Sequence, residues 1–230
     1  MQNKNDSNGV ACDTTCDLCS EIAGNCSRFT ELYGARLRQR TVPITASFLL
    51  MPSIGQLVEG YTLVVSSGHY ASVTAMPSHI VDELEVLLDR MRLWMLEEYG
   101  VTPLCFEHGT PCQGTVHKGC GVYHMHLHIV PVPIHINLVA SASREFQFER
   151  IERLTCLSSI MAPMQPYLLV VDRSGTMLAT SDPKLPSQYM RRLLACELGL
   201  DNWNWREYGI EDRLIKTYER IRTAITISTN

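Results

Sequence analysis

Residues 123–131 read YHMHLHIVP and set three histidines, His124, His126 and His128, at every second position, with Met125, Leu127 and Ile129 between them. Imidazole is a neutral metal ligand, and with an unperturbed pKa of ~6.5 it is also a nucleophile or general acid near neutral pH. On an extended strand alternate side chains share a face, so the three rings stand at ~6.6–6.8 Å intervals on one side while Met125, Leu127 and Ile129 turn to the core. One zinc shared by all three is excluded: residues i and i+4 of a strand lie ~13 Å apart, whereas zinc–imidazole bonds are ~2.0–2.1 Å. The three must therefore divide their duties. The bland alternative is a half-exposed strand whose polar face happens to be histidine, and three in register after the glycine-bearing loop His117–Gly121 weigh against it.

A second cluster stands near the start, where CDTTCDLCSE offers Cys16-x-x-Cys19 with Cys12 upstream. Zinc sites use this spacing because two thiolates then converge on one tetrahedral ion, but a lone pair is a weak signal and needs two more ligands. His69 and His124 are the natural candidates. His108 and His117 compete as ligands or active-site acids, and His79 and His135 read as surface residues. Cys12 and Cys26 read as free thiols, while Cys105, Cys112, Cys156 and Cys196 pack or lie idle. Nine cysteines, an odd and clustered set, do not form a disulfide framework.

These groups need elements to hold them. FLLMPSIGQLVEGYTLVVSS predicts strand, break and strand, with Phe48–Met51 and Tyr61–Ser66 paired across a long loop at 52–60. From Ser78, as N-cap, apolar residues at Ile80, Leu84, Leu87, Leu88, Met91, Met95 and Leu96 predict a long helix ending before Gly100. VTPLCFEHG predicts a further strand before the histidine strand, which Pro131 and Pro133 close. Residues 144–161 read as helical, YLLVVDRSGTMLAT as a hairpin turning at Ser174 and Gly175, and helices are expected over about 187–198 and 211–224. The fold class is α+β: a central antiparallel sheet with helices packed on it, and a C-terminal hairpin with a helical extension that either widens the sheet or caps it.

The whole chain of 230 residues, 45% hydrophobic, has material for one large domain. Its formal net charge of -4 argues against a nucleic-acid duplex partner, since that affinity rests on cations neutralising phosphates. Neither a membrane span nor a secretory leader is legible, so no membrane partner and a cytoplasmic location are expected.

HMHLHIVP, with GCGVY upstream, resembles the signature of the histidine-triad nucleotide-binding superfamily. FLLMPSIGQLVEGYTLVVSSGH and the helix from Ser78 fall where that family has its strand–turn–strand and long helix, so the likeness covers roughly residues 16–133. The branch suggested is the zinc-containing one, related to galactose-1-phosphate uridylyltransferases and diadenosine polyphosphate phosphorylases and hydrolases. Its zinc ligands match Cys16, Cys19, His69 and His124, which implies a structural zinc in a closed shell. The resemblance implies nucleotidyl transfer: His126 attacks the α-phosphorus of a nucleotide substrate, and water or another acceptor cleaves the nucleotidyl-histidine. It further implies His128 as phosphoryl or leaving-group contact, backbone phosphate contacts at Gly119, Cys120 and Gly121, a substrate contact at Glu107, with Gly109 nearby, and a homodimer. Two departures stand out. Tyr61 replaces a histidine usual in the hydrolases, so a substrate contact there falls to a phenol. His128 stands where the uridylyltransferase branch has glutamine, which favours hydrolase or phosphorylase chemistry.

Expected domains are a disordered 1–11, a catalytic domain with its zinc knot at 12–140, and an extension at 141–230 packed on it. SQYMRRLLACELGL and WNWR look like the tail of longer bacterial members, and Gln188, Arg191 and Arg206 are its candidate substrate contacts, with Trp203 and Trp205 for stacking. Equally, the tryptophans anchor a small core and the arginines face solvent. Besides the hydrolase, three readings stay open: a phosphorylase or nucleotidyltransferase with a phosphorylated acceptor, a non-catalytic zinc-stapled nucleotide-binding module, and a redox protein using Cys16 and Cys19.

Overall fold

The computed structural model describes residues 16–109, 122–161, 165–207 and 211–228, without the side chains of 225–228. In chain order the elements are α1 (Asp17–Ile22), α2 (Arg28–Tyr33), β1 (Val42–Pro43), β2 (Phe48–Pro52), β3 (Thr62–Ser66), α3 (Ser78–Tyr99), β4 (Leu104–Gly109) and β5 (His126–Val130). There follow α4 (Leu138–Ala142), β6 (Glu149–Ile151), α5 (Leu157–Ile160), β7 (Tyr167–Val171), β8 (Met177–Ser181), α6 (Tyr189–Glu197) and α7 (Glu211–Ser228). The fold is α+β. One antiparallel sheet of eight strands runs in the order β1-β2-β3-β5-β4-β7-β8-β6, without a break at residue 140. The C-terminal hairpin β7–β8 widens the sheet by pairing along β4, from Cys105↔Val171 to Gly109↔Tyr167.

Strands β2, β3, β5 and β7 are buried at every position. Their continuous apolar runs follow from a sheet covered on both sides, and the alternation of side chains divides the core in two. One layer packs Leu50, Val64, Leu127, Ile129 and Leu169 under α3, through Leu84, Leu87, Leu88, Met91 and Met95. The other packs Met51, Leu63, Val65, Phe106 and Val170 against α1, α4 and α6, through Leu18, Leu138, Met190 and Leu194. The histidine face lies under this second layer, so it is not a half-exposed strand face: His124, His126 and His128 are 0%, 8% and 6% exposed.

Two local expectations need correction. Ser78 is the first residue of α3, and Pro77 holds the cap position with no side-chain hydrogen bond. At the other end Gly100 sits at φ 69 and donates to the Leu96 carbonyl, a left-handed closure that glycine adopts without a Cβ clash. Residues 144–161 are not one helix. Glu149–Ile151 pairs with β8 as the edge strand β6, and only a 3₁₀ turn and the single turn of α5 follow. A partner almost thirty residues downstream overrides the local propensity there.

Candidate active site

Cys16 caps α1, its sulfur 3.5 Å from the Cys19 amide. The first turn of the helix thereby points both thiols toward the end of β3 and the approach to β5. His69, just past β3, has Nδ1 3.2 Å from the Cys19 sulfur. His124, just before β5, has Nδ1 3.5 Å from the Cys16 sulfur and 3.4 Å from that of Cys19. All four residues are buried, with their ligand atoms within 4.8 Å of one another. The far nitrogen of His124, Nε2, lies 2.8 Å from the Ser66 carbonyl. A carbonyl only accepts, so Nε2 carries the proton and the lone pair at Nδ1 turns to the thiols, the arrangement that second-shell carbonyls impose on metal-binding histidines. Tetrahedral geometry with ~2.3 Å metal–sulfur and ~2.0–2.1 Å metal–nitrogen bonds places S and N about 3.5 Å apart, which the observed separations fit. The cluster can hold one metal ion.

Two residues on, His126 faces the same layer. Its Nδ1 lies 2.6 Å from the His124 carbonyl, so Nδ1–H donates and the lone pair sits at Nε2. His128, opposite Leu63 in β3 and Phe106 in β4, stacks on Phe106 at 4.4 Å. Its Nδ1 lies 2.9 Å from the Tyr61 hydroxyl. Burial first, then the charges of His126 and Arg191, hold the pKa of His128 well below its usual value. It is thus a neutral imidazole beside a phenol, the stronger donor of the two, and the proton of His128 resides at Nε2. Tyr61 is fully buried with the Arg191 guanidinium 5.2 Å above its ring, so it supports His128 from behind.

Two clefts meet at these histidines and share His126, His128, Arg191 and Trp205. The first is otherwise walled by Leu18, Ile54, Leu63 and Val122, with Asp17, Arg40 and Ser53. The second is walled by Phe106, His108, Gln188, Tyr189 and Met190. The β2–β3 loop at the mouth of the first is braced by three guanidiniums: Arg40 donates to the Pro52 carbonyl, Arg191 to Gly55 at 2.6 Å and Arg213 to Leu57 at 2.8 Å. Arg40 is itself held by the buried carboxylate of Glu21, through bonds of 2.7 and 2.8 Å.

Of the residues singled out from sequence, the structure gathers Cys16, Cys19, His69 and His124 into one cluster, and His126, His128, Gln188 and Arg191 around the clefts. Arg206 lies over the Trp205 ring at 4.4 Å, outside the lining of either cleft. Gly119, Cys120, Gly121, Cys12, Cys112 and His117 fall outside the described residues. Glu107 is not at the clefts. Strand alternation turns it to the opposite face, where its carboxylate accepts from the Val73 amide at 2.9 Å and from the Tyr167 hydroxyl. Gly109 belongs to the same packing, since a Cβ there would meet the Tyr167 ring at 2.0 Å. His79 and His135 are exposed. Two lining residues stood in the sequence only among alternatives: His108, on the cleft side of β4, whose pKa burial depresses to about 4, and Trp205. The WNWR run gave no sign of which tryptophan turns inward.

Burial raises the pKa of Glu107 to about 7, from 4.5. A raised carboxyl pKa stabilises the fold fully below the unfolded pKa, and this contribution is lost as pH rises through the folded one. Glu107→Gln keeps an acceptor for Val73. Between about pH 4.5 and 7 the wild type should lose ~3 kcal/mol relative to this variant, at ~1.4 kcal/mol per pKa unit. Denaturant melts at pH 4.5, 6 and 8 measure it, and parallel pH curves for the two proteins would place Glu107 near its ordinary pKa.

Neither a family model nor a curated protein matches the chain. Solved structures do. One is a Hit-like protein involved in cell-cycle regulation from Bartonella henselae, 13% identical, with a TM-score of 0.40 over 55% of this chain and 86% of that one. Another is a Zn-bound histidine triad family protein from Mycobacterium smegmatis, 21% identical, with a TM-score of 0.37 over 51% and 74%. A HIT family hydrolase from Clostridium thermocellum is 12% identical, with a TM-score of 0.37 over 54% and 96%. Each of these is a likeness over about half of this chain. Among the described residues, no helix is long and apolar enough to cross a membrane.

Proposed function

We propose that this protein is a histidine-triad nucleotidyl hydrolase or transferase working through a nucleotidyl-histidine on His126. The observation that carries the reading is the tautomer of His126: with Nδ1–H held by the His124 carbonyl, the lone pair at Nε2 is the nucleophile in a buried cleft. The Nε2–phosphorus bond forms as the bond from the α-phosphorus to its leaving group breaks, and the leaving group departs with the electron pair. Neutral His128 donates Nε2–H to the oxygen on which charge accumulates, where a preorganised donor in a water-poor site is most effective. Water, losing a proton to solvent, or the phosphate oxygen of an acceptor then attacks the same phosphorus as the Nε2–phosphorus bond breaks, and His126 leaves with its lone pair. The apolar wall of the first cleft suits a nucleoside base.

Cys16, Cys19, His69 and His124 would hold zinc in a closed shell. Bound there, the ion would supply rigidity and no Lewis acid, tying α1 and the end of β3 to the residue two before the nucleophile.

The test is to mix the protein with nucleoside polyphosphates and phosphoramidates of the four common bases, quench in base, and weigh the intact chain. An added nucleoside monophosphate is expected. No adduct and no turnover, with binding retained, would leave a non-catalytic nucleotide-binding module. Tyr61→Phe removes one hydrogen bond behind His128 and should lower kcat about tenfold, the equivalent of ~1.4 kcal/mol, with KM little changed. An unchanged kcat would mean that the phenol only fills space.

A further inference from the structure

Arg191 is 3% exposed, yet among the described residues no carboxylate lies within ion-pair reach of it. Its N–H groups go to neutral oxygens: the Trp203 carbonyl at 3.2 Å, the Ser53 hydroxyl at 3.5 Å and the Gly55 carbonyl. Of the other charges nearby, Arg40 is paired with Glu21, and Asp17, which accepts from the Arg28 amide, is not within ion-pair distance of Arg191. A buried cation without a counter-charge is expensive unless an anion joins it. Gln188, one turn before Arg191, carries a second unmet demand. Its Nε2 donates to Asn204 Oδ1 at 3.3 Å, and because that oxygen also accepts from the Arg206 amide, the assignment of the amide is fixed. Its Oε1 is buried without a hydrogen-bond partner among the described residues. Its backbone, at φ 57, is the one described non-glycine residue in left-handed conformation.

We propose that the second cleft is the subsite for the group transferred to or expelled from the α-phosphorus, and that it takes a phosphate-bearing group with a hydroxyl or amine, its anion met by Arg191 and its donor by Gln188 Oε1. The inference rests on the nucleotidyl-transfer reading and names its substrate class. The two clefts share the reacting histidines, so a nucleoside in the apolar one leaves the other for its partner. The depressed pKa of His128 fits the same class, because a phosphate leaves without the proton that an amine requires. Residues 189–197 thus complete the site from the C-terminal part of the chain.

The experiment compares kcat/KM on two substrates of one nucleoside: an anhydride to a sugar phosphate, and a 4-nitrophenyl ester without a second phosphate. Arg191→Gln should reduce both, but the anhydride at least about tenfold further, with partial recovery in Arg191→Lys. Gln188→Ala should discriminate against the sugar-phosphate anhydride relative to the plain nucleoside diphosphate. Parallel losses on both substrates would overturn the subsite and reduce Arg191 to a brace for the β2–β3 loop. If Arg191→Gln does not fold, inhibition of wild-type ester cleavage by inorganic phosphate, weakened in Arg191→Lys, supports the subsite, and no inhibition overturns it. Absence of turnover and adduct on every substrate instead removes the nucleotidyl-transfer reading, and the subsite with it.

Discussion

His126→Ala should lower nucleotidyl turnover by about 10⁴-fold or more, the scale on which removal of a covalent nucleophile acts, while nucleotide affinity changes by less than ~1.4 kcal/mol, tenfold in Kd. The two readouts separate because the ring sits at the meeting point of the clefts, whereas the apolar wall of Leu18, Ile54, Leu63 and Val122 belongs to other elements. Truncation leaves a small void and strands the His124 carbonyl, which had received the Nδ1 proton. Intact-mass spectrometry of the quenched variant should show no nucleoside monophosphate, and single-turnover kinetics no burst. Retained adduct in His126→Ala would move the covalent step to another residue. The purely binding module predicts a different pair of results, no turnover in either protein and equal affinity.

Removing the metal should have the largest effect on stability. The purified chain is expected to carry one zinc in the cluster, and Cys19→Ser, which substitutes a sulfur 3.2–3.4 Å from both imidazoles, should prevent its retention. Structural zinc contributes folding free energy outright. A loss of at least ~4 kcal/mol, at ~2–4 °C per kcal/mol for a chain of this size, corresponds to a fall in Tm of about 8–16 °C. The effect should reach function too, since His124 supplies the carbonyl that fixes His126. Metal analysis and calorimetry with and without chelator measure both. Thiol mapping gives an independent check: Cys26 and Cys196 are exposed and should react at once, whereas Cys16 and Cys19 should wait for the chelator. Free reaction of the buried pair without chelator would favour the redox reading.

The chemistry was legible in the sequence where it is local. His126 and His128 share a strand face because strand geometry leaves no other choice, and His124 stands just before that strand. Cys16 and Cys19 converge because one turn of α1 separates them. The strands 48–52 and 62–66 and the helix ending at Gly100 follow from hydrophobic period and turn chemistry, which act within a few residues. Tertiary structure alone decided what those residues face. It turned Glu107 away from the clefts, because a one-residue offset along β4 inverts the side of the sheet. It drew 149–151 into an edge strand, because a distant hydrogen-bonding partner outweighs a modest helical preference. It set Arg191 of α6 and Gln188, the cap residue before it, beside a triad some sixty residues earlier, one as a buried cation without an ion-pair partner among the described residues and the other as an unfilled acceptor. Counter-charge and hydrogen-bond satisfaction are properties of three-dimensional neighbours, and spacing along a chain does not encode them.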